Sequence, residues 1–402
     1  MNSVPPTPPD FSALQHADAV RAAEALIPAL RERAAGAEAA RVMPPETVAD
    51  LQAIGAPRAL QPRRWGGMED DFIGYVDIPL ALARGCASTS WCVVNLMIHH
   101  WMLAMYEERA QAEVWGADPA ALIAAGIAFP QGGAQKKEGG YVISGRWNFC
   151  SAAHLAEWSM LAVTVREGTQ AVDYRMCLLH RSEYEIIDDW QVMGMRSTGS
   201  MTITAKDVFV PEYRALGMLD ARGGDSFPGA RTNPNPLYRV SLAALGGHGI
   251  AATAVGNAMT ALEHTRQLVK ERSTNYSGAR MRDFQMVQWR VGSAGAKLDS
   301  ARLVLRNDAF EVMDIVRSNT IPDIETKLKF KRNAAYAAQL ATEAVDALQS
   351  VTGATGIYNS HPLERIFRDA HALGAHISLN FDAQAASWGL AALGGTVPIP
   401  TL

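Results

Sequence analysis

The chain has 402 residues, 48% of them hydrophobic and 19% charged, with a formal net charge of −4. This is the make-up of an ordinary globular protein, at a length that holds two or three units of ordinary domain size and buries large cores. The slight acidic balance, with no basic tail or Lys/Arg stripe, argues against a nucleic-acid partner, and no uncharged apolar run reaches the ~18 residues of a membrane helix.

The opening stretch, Met1-Asn-Ser-Val-Pro-Pro-Thr-Pro-Pro, is Pro-rich and lacks the positive-then-apolar pattern of a signal peptide, so it reads as a disordered or draped leader. Ala22, Leu26, Ile27, Leu30 and Ala34 then recur at helical spacing. Pro44-Pro-Glu opens a further helix, with proline allowed in its first turn. Ser88 or Thr89 would cap a helix that carries Trp91, Asn95, His99 and Met102. Together these define an N-terminal helical domain over 1–120. From Leu122 to Pro211 the texture turns to strands: Ile123 to Phe129, Gly140-Tyr-Val-Ile-Ser, Ser159-Met-Leu-Ala-Val, Tyr174-Arg-Met-Cys, Met201-Thr-Ile-Thr and Asp207-Val-Phe-Val-Pro. No crossover helices separate them, which predicts antiparallel pairing within a β-domain over 121–235. Gly223 to Pro236 reads as a loop. Long helical segments follow at Leu242 to Glu271, Phe284 to Ser318, Ile324 to Thr352 and Glu364 to Leu393, which predict a four-helix bundle over 236–402. The four cysteines (Cys86, Cys92, Cys150, Cys177) are scattered with no Cys-x-x-Cys. They read as reduced core thiols of a cytoplasmic protein, with no metal site expected.

Helices, a central β-domain and a helical bundle, in that order, resemble the acyl-CoA dehydrogenase fold: mainly α with an antiparallel β-domain. Four stretches carry the resemblance across nearly the whole chain. Gly145-Arg-Trp-Asn-Phe-Cys-Ser-Ala-Ala-His-Leu-Ala-Glu-Trp is similar to that family's flavin-facing strand and loop. Gly194-Met-Arg-Ser-Thr-Gly-Ser-Met-Thr-Ile, followed by Asp207-Val-Phe-Val-Pro, is similar to its next block. Arg272 with Gln288 resembles a pair that reaches the flavin of a neighbouring subunit. Gly353-Ala-Thr-Gly and Pro362-Leu-Glu-Arg-Ile-Phe-Arg-Asp resemble its C-terminal cofactor region. The resemblance therefore implies flavin contacts at Phe149, Ser151, Trp158, Ser197, Thr198, Ser200, Arg272, Gln288, Gly353 and Gly356.

Within that fold, short- and medium-chain acyl-CoA dehydrogenases commonly carry a catalytic carboxylate in a Tyr-Glu pair shortly after an Arg-Asp landmark. Here Arg368-Asp369 aligns that pair with His376-Ile377, so the carboxylate is missing. The pattern instead resembles the oxygenase components of two-component flavin monooxygenases that act on p-hydroxyphenylacetate, steroid-ring phenols, indole or dibenzothiophene. The resemblance implies reduced FMN or FAD, held exchangeably and supplied by a separate flavin reductase, and O2. It also implies a C4a-hydroperoxyflavin that attacks an aromatic substrate, and a homotetramer. No Gly-x-Gly-x-x-Gly follows a strand and opens a helix, which fits the need for a reductase.

In this reading Ser151 accepts a hydrogen bond from flavin N5–H. His376 and His100 (in Ile98-His-His-Trp) handle the substrate's phenolic proton. Trp91 and Phe129 wall the pocket. Adjacent His99 and His100 point in different directions on a helix, and His100 is the one assigned to the site. His371 is assigned a structural or supporting role, His154 in the flavin loop is read as structural, Arg365 and Asp369 as an intrahelical ion pair, and Lys327, Lys329 and Lys331 as a solvated face. An acyl-CoA dehydrogenase with its base elsewhere, or an N- or S-oxygenase of the same fold, are the alternatives.

Overall fold

The computed structural model describes residues 9–274 and 277–398; the expected leader falls mainly on residues 1–8, outside them. Six helices open the chain: α1 (His16–Ala25), α2 (Ile27–Ala40), α3 (Pro45–Ala53), α4 (Gly74–Ala83), α5 (Ala87–Leu103) and α6 (Glu108–Trp115). α5 has Cys86 at its N-cap with no side-chain cap; Ser88 and Thr89, expected to cap it, are buried inside its first turn. Buried on almost every side, this helix is stabilised by packing, so capping adds little.

Eight strands follow: β1 (Ile123–Gly126), β2 (Gly132–Lys137), β3 (Gly140–Cys150), β4 (Trp158–Glu167), β5 (Gln170–His180), β6 (Glu185–Ile187), β7 (Met201–Pro211) and β8 (Ala215–Gly217). They form one sheet in the order β6-β7-β3-β2-β4-β5-β8, with β1 also on β4. Most pairs are antiparallel as expected, but β1 and β2 both run parallel to β4. The crossover that a parallel pair requires is made by β3 itself and the turn after it, so no helix is needed. The indole of Trp147 on β3 is fully buried and lies over glycines: a Cβ at Gly132 or Gly145 would sit 2.5 or 2.7 Å from its ring.

The remaining helices are α7 (Leu242–Leu245), α8 (His248–Glu271), α9 (Gln285–Arg317), α10 (Ile324–Thr352), α11 (Pro362–Gly374) and α12 (Phe381–Ala392). The last predicted helix is thus two, separated by a break at residues 375–380. The stretch predicted as a loop, Gly223 to Pro236, contains short 3-10 turns and is stitched to the end of α5. Gly229 N donates to Met105 O at 3.0 Å, and Asn233 Nδ2 donates to Ala104 O at 2.7 Å. The three lysines of α10 are not a solvated face either. Lys327 is buried and donates to Arg222 O at 2.8 Å, while Lys329 pairs with Glu311 at 2.5 Å. All four cysteines are buried and free. No helix among the described residues is long and apolar enough to cross a membrane.

Candidate active site

β3 ends irregularly. Its pairing with β7 slips between Trp147 and Cys150, and Phe149 and Ala152 take left-handed backbone angles of 64° and 58°. Such φ values are rare for residues other than glycine and mark a backbone held by its surroundings. The effect is to throw the Phe149 ring outward, 70% exposed and edge-on to Trp190 at 6.0 Å, and to turn Ser151 inward, where it is 6% exposed.

Around Ser151 the fold brings together residues from three elements. The indole N–H of Trp91, on α5, donates to Ser151 Oγ at 2.9 Å. Ser151 Oγ is 2.8 Å from Ser200 Oγ, which is 2.7 Å from Thr198 Oγ1. Thr198 Oγ1 donates to Met195 O at 2.9 Å. The result is a buried ladder of hydroxyls between an indole donor and a carbonyl acceptor.

The turn that carries Thr198 is braced by α11. Met195, with φ 56°, donates its N–H to Asp369 Oδ1 at 2.6 Å. Arg368 Nη1 donates to Met193 O at 2.7 Å and to Glu38 Oε1 at 2.5 Å. Gly194 lies so close that a Cβ there would sit 2.4 Å from Arg368 O. Asp369 therefore serves the turn rather than the expected ion pair with Arg365. Burial pushes its carboxyl up to about 6, against the lowering effect of the Met195 N–H.

His376 falls in the break between α11 and α12, as the N-cap of a 3-10 turn at Ile377–Leu379, and not on a helix as its spacing suggested. Its Nδ1 accepts the Ser378 N–H at 3.2 Å, and its ring meets Trp91 edge-to-face at 5.4 Å. Burial holds its pKa below the ordinary value. The neutral ring with Nδ1 as acceptor carries its proton on Nε2, so His376 presents a donor.

The other expected residues distribute differently. His100 is not brought to this cluster. It is fully buried, stacked on Trp115 with ring centroids 5.9 Å apart, and accepts the Trp115 indole N–H at 3.0 Å. On an ideal helix it lies about 180° from Trp91, nine residues on, whereas His99 lies about 80° away. His99 Nδ1 donates to Ile123 O at 2.7 Å, which leaves its buried Nε2 as an acceptor with no hydrogen-bond partner among the described residues. Burial pushes His99 down to about 4, so this nitrogen is unprotonated at neutral pH. Eight residues from Trp91 rather than nine, His99 lies nearer that indole's side of α5 than His100 does.

Phe129 is half-buried, edge-on to Tyr174 at 5.4 Å, and Trp158 is occupied by His180 at 5.0 Å and by the Arg214 guanidinium at 5.0 Å. Ser197 is buried beside Thr198. A second group forms around Arg272, which donates to Thr352 O at 2.9 Å and Thr355 Oγ1 at 2.7 Å and so ties itself to the Gly353–Gly356 turn. Gln288 is exposed, donating to Arg282 O at 3.0 Å. His371 pairs with Asp346 at 3.0 Å, and the His154 ring packs against Gly199, whose Cβ would lie 2.6 Å from it.

Residues 248–381 match the family model described as acyl-CoA dehydrogenase, C-terminal domain. The structure of the 3-HSA hydroxylase from Rhodococcus sp. RHA1 superposes with a TM-score of 0.90 at 30% identity, covering 96% of this chain and 99% of that one. The fold is therefore that of the acyl-CoA dehydrogenases. The oxygenase subunit HsaA of a flavin-dependent monooxygenase from Mycobacterium tuberculosis is 34% identical over 371 residues, spanning 91% of this chain and 93% of its own. The oxygenase component of a FADH2-dependent resorcinol hydroxylase from a Rhizobium species is 32% identical over 98% of both chains. The chain belongs to the family of oxygenase components of two-component flavin-dependent monooxygenases, and its cofactor is reduced flavin.

Proposed function

We propose that this enzyme hydroxylates a phenolic aromatic substrate with reduced flavin delivered by a separate reductase. The observation that carries the proposal is the convergence of Trp91, Ser151 and His376 with opposite hydrogen-bonding roles: an oxygen that accepts and an imidazole N–H that donates. The relatives named for resorcinol and p-hydroxyphenylacetate support the substrate class.

The residues fit a reduced flavin. Ser151 has accepted one hydrogen bond from Trp91 and keeps a second lone pair for a ring N5–H. Phe149 offers an exposed aromatic face at the end of β3, and Arg272 with the Gly353–Gly356 turn offers a polar anchor for the flavin of a neighbouring subunit. When bound, reduced flavin supplies the electrons that activate O2 for transfer to the substrate. The chain's own contributions are then positional. Ser151 holds the N5 proton, the His376 Nε2–H supports oxygen at the reacting centre, and the burial of Ser151, Ser200 and Thr198 keeps water from competing for their hydrogen bonds. In place of His100, His99 Nε2 is the acceptor that α5 offers to a phenolic O–H. Leu303, Phe310, Ile321 and Ile324 expose 50–68% of their surface on and beside α9 and α10, and we assign this apolar face to assembly of a homotetramer. Four free buried thiols fit a reducing cytoplasm.

The test is to supply chemically reduced FMN or FAD under 18O2 with a panel of phenols, indoles, amines and thioethers. One labelled oxygen in a ring hydroxyl is the expected result. Label only in an amine or thioether, or bleaching of bound oxidised flavin by an acyl-CoA, would overturn it.

A further inference from the structure

We propose that Thr198, acting through Ser200, orders the hydroxyl protons of the site so that Ser151 faces the flavin as an acceptor only, and that this makes the protein select reduced over oxidised flavin. The proposal rests on the reading above that Ser151 lies against N5. It is a statement about proton direction, and the structure carries it because both ends of the ladder are fixed.

Met195 O is a carbonyl and can only accept. It takes Thr198 Oγ1 at 2.9 Å, Thr198 N at 3.3 Å and Trp190 Nε1 at 3.3 Å. Asp369 holds the N–H of the same residue, on the preceding peptide, so the chain at Met195 is braced on both sides of its Cα. Thr198 has one hydroxyl proton, and Met195 O uses it. The 2.7 Å contact between Thr198 and Ser200 must therefore take its proton from Ser200, and the 2.8 Å contact between Ser200 and Ser151 must take its proton from Ser151. At the far end, Trp91 Nε1 is a donor and occupies one lone pair of Ser151. Every proton in the ladder points into the protein. What Ser151 has left for a ligand is one lone pair and no hydrogen. With Ser151, Ser200 and Thr198 each at most 6% exposed, water has little room to reverse the order.

The chemistry of the two flavin states then differs at this contact. Reduced flavin carries a hydrogen on N5 and finds its acceptor. Oxidised flavin has a bare N5, itself an acceptor, and would meet a lone pair with a lone pair. An unmade hydrogen bond between buried groups corresponds to about tenfold or more in affinity. Thr198 acts through other residues and is a positioning residue for this contact.

The test measures the dissociation constants of oxidised and of anaerobically reduced FMN and FAD, and the midpoint potential of the bound flavin, in wild type and variants. A tenfold change in the ratio of the two constants corresponds to about 30 mV in a two-electron potential. Thr198→Val keeps the shape but takes away the proton sink. Ser200 can then donate to Ser151, and Ser151 can turn its proton outward. We expect the preference for reduced flavin to fall about tenfold and the bound potential to fall with it by about 30 mV. Ser200→Ala should do the same by a different route, and it carries the test if Thr198→Val does not fold. Thr198→Ser, which restores the hydroxyl, should restore the wild-type ratio. Ser151→Ala separates the two levels of the argument. If Ser151→Ala leaves the ratio unchanged, the placement of Ser151 at N5 is wrong. If Ser151→Ala lowers the ratio while Thr198→Val and Ser200→Ala do not, the placement stands and the proton ordering is refuted.

Discussion

Asp369 and Met195 are joined across 2.6 Å by a single hydrogen bond, from the Met195 N–H to Oδ1, and through it the C-terminal helix α11 fixes the turn that carries Thr198. The Arg-Asp pair that serves in the sequence as a landmark for a missing base is thus a clamp on the site. Removing the acceptor in Asp369→Ala orphans a buried N–H and should cost about 1–3 kcal/mol in urea unfolding. Asp369→Asn keeps an oxygen for Met195 and should lie closer to wild type. The pH dependence gives the sign. Burial raises this carboxyl to about 6 in the fold, while it ionises near 3.9 when unfolded. The folded chain therefore holds the proton longer, so this group's contribution is complete below about pH 4 and is lost as pH rises through about 6. Asp369→Asn should flatten stability over that window.

His16 gives a pH dependence that lies higher. Its Nδ1 meets Asp70 at 2.8 Å and its Nε2 meets Asp77 at 3.3 Å, and those hydrogen bonds raise its pKa to about 9, against burial. Arg306 also pairs with Asp77, so α1, α4 and α9 share one charge cluster. The stabilisation is fully present below about 6.5, the unfolded value, and is lost as pH rises through about 9. His16→Gln should lose about 1–2 kcal/mol at pH 7, once solvent screening of a partly exposed pair is allowed for, and should show a flatter stability curve between pH 7 and 9.

His376 should act as a neutral donor. Burial lowers its pKa and the Ser378 N–H occupies Nδ1. Its protonation should therefore leave no step in kcat/KM above about pH 6.5, the unperturbed value. His376→Ala should reduce hydroxylation about a hundredfold, and His376→Gln, which again offers an N–H, should recover part of that loss. A full recovery by a carboxylate at this position would instead assign a base.

Much of this was legible in the chain because it is local. Ser151, Thr198 and Ser200 stand in contiguous motifs, and His376 could be counted from Arg368-Asp369. What could not be read depends on contacts distant in sequence. The ladder joins residues 91, 151, 198 and 200, and its proton order depends on Met195 O and on a brace from residue 369. Lys327 looked solvated because its period suited a helix surface; only the packing of Arg222 against α10 reveals its partner. The parallel pairs of β4 were hidden because a strand, not a helix, makes the crossover.

The sharpest divergence between sequence and structure concerns two neighbours, His99 and His100, and a pair of variants resolves it. His100 Nδ1 takes the Trp115 indole N–H in an aromatic stack, which leaves an unpartnered donor, not an acceptor, on its buried Nε2, and burial pushes its pKa down to about 3. His100→Ala leaves that indole N–H without a partner and opens a cavity, so it should cost about 2–4 kcal/mol of stability. At temperatures where it is folded, its KM for a phenol should be unchanged. His99 is fixed from the opposite side: Ile123 O takes its proton, and Nε2 is left bare. His99→Ala should raise the KM for a phenol about tenfold and increase the fraction of reduced flavin lost as hydrogen peroxide, with a stability loss of the same order because Ile123 O loses its donor. Peroxide yield and phenol KM, measured on both variants with the same reduced flavin, decide between them. A His100→Ala protein that is stable yet binds the phenol poorly would return the assignment to His100.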